Sequence, residues 1–127
     1  MYRDSASPGS LLDRLDGFLT PWVKRILLAN VAVHLLAWVV GRGFMVQWFG
    51  FTPAEVLFRP WTFLSYMFVH GDLWHLLFNM LVVFFFGPPL ERRLGGAEFL
   101  RLFVLGGVGG ALARAVIAEA TRIGYRE

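Results

Sequence analysis

HGDLWHLLFNMLVVFFFGPPLERRLG (residues 70–95) sets His75 and Asn79 into an otherwise membrane-like apolar run. On an α-helix a four-residue offset stacks two side chains on one face about a turn apart. An imidazole and a carboxamide so placed can converge on one small group, for instance an oxyanion. Strongly polar side chains are costly in lipid and are read there as functional by default. A second reading stays open for Asn79, because polar residues also hold transmembrane helices together, at about 0.6 to 2 kcal/mol per hydrogen bond.

Outward from this stretch the chain keeps the same character. It has 127 residues, of which 57% are hydrophobic and 17% aromatic, and no cysteine. Soluble domains are about 45 to 50% apolar, so this is the composition of a membrane protein. At about 20 residues per span, the length allows about three, at most four, crossings. The twelve basic residues are strung between apolar segments and form no stripe, which argues against nucleic acid as a partner. The N-terminal segment lacks the basic start and early apolar core of a cleavable signal peptide, so the first span is expected to stay as an anchor. The absence of cysteine leaves neither disulfides nor thiolate metal sites.

Residues 1–21 read as a cytoplasmic or interfacial segment. Met1 to Gly9 is polar and broken by Pro8-Gly9, which predicts a mobile terminus. From Ser10, the positions Leu11, Leu12, Leu15, Phe18 and Leu19 form one apolar face, and Ser10 with Asp13 forms a capping-box pattern. Either this is a short helix along the membrane surface, or it is a disordered tail. Trp22 to Val40 is the first expected span, with Asn30 and His34 again four apart; interhelical polar contact accounts for that pair. Gly41 to Gly71 is rich in aromatic rings and is broken by Pro53 and Pro60, so it predicts a loop in the interface. Leu73 to Pro88 is the second expected span, short for a bilayer and ended by Gly87-Pro88-Pro89. Leu90 to Gly96 follows as a polar connection. Ala97 to Ala118 is the third span, with Gly106 and Gly110 at the small-xxx-small spacing that lets helix backbones approach. Arg114 is awkward inside it, since a central arginine costs about 2.5 to 3.5 kcal/mol; it is expected near the outer end. Residues 119–127 read as a divergent polar tail.

Three blocks together resemble the first half of a rhomboid intramembrane serine protease: Pro60-Trp-Thr-Phe-Leu-Ser-Tyr-Met-Phe-Val-His70, then His75-x-x-x-Asn79, then Gly87-Pro-Pro-Leu-Glu-Arg-Arg-Leu-Gly95. The resemblance runs from about Trp22 to Ala118. It implies an all-α membrane domain over 22–118, the first three transmembrane helices of a six-helix bundle with a large interfacial loop. It further implies that His75 and Asn79 stabilise an oxyanion, that His70 and Trp61 support the loop, and that Glu91 anchors the connection after the second span. For His70 an interfacial histidine bonded to water is an equal alternative. The position after Trp61, often basic or an amide in the family, is Thr62, which leaves any loop network unassigned.

The family's Gly-x-Ser-Gly nucleophile and later base histidine are absent from the sequence, whose serines are Ser5, Ser7, Ser10 and Ser65. No glycine elbow exposes Ser65. The expectation is therefore a serine-type endopeptidase of transmembrane proteins represented by a truncated N-terminal part, inactive alone. The alternative is a non-catalytic relative that binds transmembrane helices. No cofactor is expected, and the histidines show no metal-ligand spacing. Arg3, Arg14, Lys24, Arg25, Arg92, Arg93 and Arg101 against Arg42 and Arg59 place the N-terminus in the cytoplasm, in a bacterial-type plasma membrane.

Overall fold

A computed structural model describes residues 9–124. The described residues are helical, with no strand among them, in the order α1 Leu11–Phe18, α2 Pro21–Val40, α3 Arg42–Phe49, a 3-10 turn Pro53–Glu55, α4 Thr62–Ser65, α5 Leu73–Leu94 and α6 Gly96–Gly124. The mobile terminus expected over residues 1–9 falls almost wholly outside them.

The capping box forms at the start of α1: the Asp13 amide donates to Ser10 Oγ at 3.2 Å, and the Ser10 amide donates to the Asp13 carboxylate at 2.8 Å. Leu11 and Leu12 are exposed, whereas Leu15, Phe18 and Leu19 of the same apolar face are partly buried. The far end of α1 is fastened to the bundle, where Arg92 donates to the Phe18 carbonyl and the Phe18 ring lies 5.2 Å from that of Phe84.

α2, α5 and α6 are long and apolar enough to cross a membrane. The chain is a multi-pass integral membrane protein. α2 packs against α5, and α5 against α6. Their shared core is Val23, Ile26 and Phe99, with Trp22, Val83 and Phe103 packed around it. Gly87 makes the α2–α5 approach possible, because a Cβ there would lie 2.6 Å from Val23 Cγ2.

The second span differs from its expected form. α5 does not stop at Gly87-Pro88-Pro89 but continues to Leu94. Two prolines remove only two intrahelical bonds, and transmembrane helices tolerate this where packing holds them. Pro88 is fully buried, and one turn on, the Glu91 carboxylate is pinned to α2. With 22 residues α5 is about 33 Å long, enough for a bilayer without thinning. The expected polar connection over 90–96 shrinks to Gly95, whose φ of +83° suits a glycine. α6 likewise runs past Ala118 to Gly124, through residues read as a polar tail.

Glu91 is therefore a helix residue and not a loop residue. Its carboxylate accepts from the Trp22 amide at 3.1 and 3.2 Å and from the Val23 amide at 3.1 Å. Pro21 occupies the first position of α2, and no side chain of α2's own N-cap serves these donors. A buried carboxylate from α5 caps them instead, at the positive end of the helix dipole. Replacing Glu91 with Ala is expected to destabilise the bundle by about 1 to 3 kcal/mol, the penalty for buried donors left unpaired. Glu91→Gln, which keeps an acceptor oxygen, should cost less. Thermal unfolding in detergent measures both; equal melting of wild type and Glu91→Ala would refute the cap.

Candidate active site

A cleft of about 660 Å³ opens between the interfacial segment and the three long helices. His70, His75 and Asn79 border it, facing Asn30 of α2, Tyr66 of the loop and Arg114 of α6.

Asp72 starts α5, its side chain accepting the His75 amide at 2.8 Å. This cap places His75 in the first turn, with Asn79 one turn below. The sequence carries the signal for this as an Asp three residues before His75 at the head of an apolar run, an N-cap pattern. Glu91, Gly87, Val83, Asn79 and His75 then form a single row of four-residue steps along α5. One end of that row is tied to α2 and the other lines the cleft.

His75 and Asn79 do border a common space, but a third group joins them. Asn79 Nδ2 lies 2.6 Å from His70 Nε2, and His70 Nδ1 lies 3.2 Å from the Phe68 carbonyl. A carbonyl only accepts, so Nδ1 carries the proton and Nε2 accepts from the Asn79 amide. One Asn79 N–H is thus used, the carboxamide is held in place, and the second N–H remains. The His75 ring meets that of His70 edge-on at a centroid distance of 5.0 Å. His70 is buried, whereas His75 and Asn79 are exposed to the cleft. Both ring nitrogens of His70 thus have protein partners.

The loop is well held without a long side chain at Thr62. Trp61 Nε1 donates to the Trp48 carbonyl at 2.9 Å, and Ser65 Oγ donates to the Phe49 carbonyl at 2.7 Å. Arg59 pairs with Glu55 at 3.0 Å and stacks 4.6 Å from the Trp48 ring. Thr62 itself is buried, with its hydroxyl on the Arg59 carbonyl. Trp61 therefore touches the loop and not the cleft, and the Ser65 hydroxyl is occupied away from the histidines.

The glycines of α6 fall on two faces. A Cβ at Gly106 would meet nothing, whereas one at Gly107 would overlap Met67 Sδ and one at Gly110 would lie 3.1 Å from the Tyr66 hydroxyl. The run Gly106-Gly107-Val108-Gly109-Gly110 offers small residues on two faces, so spacing alone could not choose between them. The face with Gly107 and Gly110 packs on the interfacial segment just after α4. Asn30 and His34 also differ from expectation. Asn30 Nδ2 donates to the Ile26 carbonyl at 2.8 Å and Trp38 Nε1 donates to His34 Nε2 at 3.3 Å, both within α2. No His, Asp and Glu cluster among the described residues is suited to a metal ion.

A Rhomboid domain family model matches residues 57–125. The chain belongs to the rhomboid family. That match includes Trp61, His70, His75, Asn79, Glu91 and Arg114, and it extends past Ala118, where the resemblance was expected to end. Rhomboid protease GlpG of Salmonella paratyphi A and that of Salmonella typhi are each 29% identical to this rhomboid chain over 85 residues. The GlpG of Salmonella newport is 29% identical over the same length. The alignments cover 66% of this chain and 30% of each relative, so the rhomboid chain spans about a third of the length of the proteins it matches. No solved structure matches it.

Burial holds the His70 pKa below its ordinary value, and the nearby His75 and His34 act in the same direction; the Phe68 carbonyl and Asp72 oppose them. Folding therefore favours neutral His70. Its share of stability is complete above the free-imidazole value of about 6.5 and is lost as pH falls through that value towards the lower folded one. Melting in detergent should accordingly drop between about pH 7.5 and about pH 5, and His70→Gln should flatten the drop. A wild-type profile that rises with acidity would contradict the neutral, doubly bonded imidazole.

Proposed function

We propose that this chain supplies the oxyanion-binding side of a serine-type intramembrane endopeptidase acting on transmembrane proteins. The observation that carries the reading is the cleft in which His75 and a clamped Asn79 sit together. Attack on a peptide carbonyl develops negative charge on its oxygen, and fixed donors facing that oxygen lower the barrier without reorganising. The second Asn79 N–H and the His75 ring are such donors. His70 does not touch the reacting atoms in this reading; it positions Asn79.

The nucleophile and its base are assigned to sequence outside this chain, since its serines include none in a Gly-x-Ser-Gly setting. The competing reading, a non-catalytic relative that captures transmembrane helices, is favoured by the open surface of α6 at Gly106 and Gly109. One experiment separates the two. The chain is reconstituted in lipid with a separately produced rhomboid segment that carries Gly-x-Ser-Gly and the later histidine, and cleavage of a transmembrane reporter is followed. Cleavage is expected only with both pieces, and His75→Ala or Asn79→Ala should lower turnover about 10²- to 10³-fold with insertion unchanged. Unchanged turnover in both variants removes the oxyanion assignment, and capture without cleavage favours the competitor.

The same reading places the N-terminus in the cytoplasm of a bacterial cell, because Arg14, Lys24, Arg25, Arg92, Arg93 and Arg101 cluster at one end of the spans, against Arg42, Arg59, Arg114 and Arg122 towards the other. Single cysteines introduced near Arg93 and near Arg42 should react with a membrane-impermeant thiol reagent on intact cells at Arg42 only. Labelling at Arg93 would reverse the topology.

A further inference from the structure

We propose that Arg114 is a specificity-determining residue that selects a carboxylate on the transmembrane segment entering the cleft, an Asp or Glu side chain near the bond presented to His75 and Asn79. The inference rests on the function proposed above.

Arg114 borders the same cleft as His75 and Asn79, and no Asp or Glu among the described residues borders it. Four basic side chains among the described residues have carboxylate partners: Lys24 with Asp16, Arg59 with Glu55, Arg101 with Glu98 and Arg122 with Glu119. Arg114 has no such partner among those residues. An ionisable group within a membrane helix is expensive and points to a partner. By helical rise Arg114 lies about 27 Å along α6 from its start at Gly96, close to the far edge of the hydrocarbon and level with the interfacial segment it faces.

The neighbouring groups do not neutralise it. The Tyr66 hydroxyl donates to the Gly107 carbonyl at 2.5 Å; burial raises its pKa, against the pull of Arg114, and so keeps it neutral. His70 is bonded on both ring nitrogens. The cleft thus offers a guanidinium fork with no anion of its own, and guanidinium pairs with carboxylate through charge-assisted, often bidentate, hydrogen bonds.

Peptide capture tests this apart from cleavage. The chain is placed in zwitterionic lipid nanodiscs, and its affinity is measured for Ala/Leu transmembrane peptides carrying one Glu, or Gln in the same place, at successive positions from one end. One Glu position should bind about tenfold or more tightly than its Gln counterpart. Arg114→Gln should abolish that preference while leaving the Gln peptide's affinity unchanged, and Arg114→Lys should retain part of it. Arg114→Glu should prefer a Lys peptide, which shows that the variant is folded. Equal binding of Glu and Gln peptides at every position overturns the inference and leaves the proposed function standing. Binding of no peptide overturns the inference, while cleavage in the two-piece reconstitution decides the proposed function separately. If phosphatidylglycerol binding depends on Arg114 while the peptides show no preference, the residue is a lipid anchor and the inference falls.

Discussion

The carboxylate of Glu91 sits on the first amides of α2, and the register of the bundle follows from that bond. At a helix start the leading amides have no intrahelical acceptor, and within a membrane water is a poor substitute. By drawing its cap from α5, α2 ties its own beginning to the other helix's end. One turn away, Gly87 lets Val23 come within the space a side chain would fill, so the two helices are fixed both along and around their axes. Because Glu91, Gly87, Val83, Asn79 and His75 follow one ridge, rotation of α5 at its anchored end would carry the two polar residues out of the cleft. The anchor and the site are about 18 to 24 Å apart by helical rise, yet one geometry sets both.

At the cleft end, order comes from bonding through His70. The Phe68 carbonyl selects its tautomer, the tautomer makes Nε2 an acceptor, and that acceptor takes one of the two Asn79 N–H groups. A carboxamide alone at a helix surface would rotate about its side-chain torsions. Held at one N–H, it presents the other in a fixed direction, which is the condition under which a donor contributes most to stabilising developing charge. The interfacial segment that carries Phe68 is itself bound to α3 by Trp61 and Ser65. The direction of the Asn79 amide thus depends on a loop far from it in sequence.

Much of this was legible in the sequence. The apolar runs gave three spans, the Ser10-Asp13 pattern gave a capped first helix, and the four-residue offset put His75 and Asn79 on one face. What was misread has a common cause, the dominance of tertiary contact over local preference. Pro88 and Pro89 argue against a helix in isolation, but burial of Pro88 and the tether at Glu91 hold α5 through them. Glu119 to Gly124 is polar enough to resemble a tail and is helical because α6 simply continues. No periodicity could show that His70 reaches Asn79, since the bond joins a loop residue to a helix residue across a turn. Nor could spacing distinguish Gly106 from Gly107 when the run offers both.

Close contact at Gly107 fixes how the loop that walls the cleft sits on α6. On α6 the positions 107, 110, 111 and 114 recur at helical spacing and so share one face. The first three are Gly, Gly and Ala, and over that length Met67 and Tyr66 rest nearly on the helix backbone, closing the gap between loop and bundle. The fourth is Arg114, too large and too polar to be covered in the same way. On α6 the cleft is bordered by Phe103 before that stretch and by Arg114 after it, with Met67, Tyr66, His75 and Asn79 also on its border. The small residues thus seat the aromatic loop against α6, and the loop so placed forms one wall of the cleft that exposes the polar groups of α5.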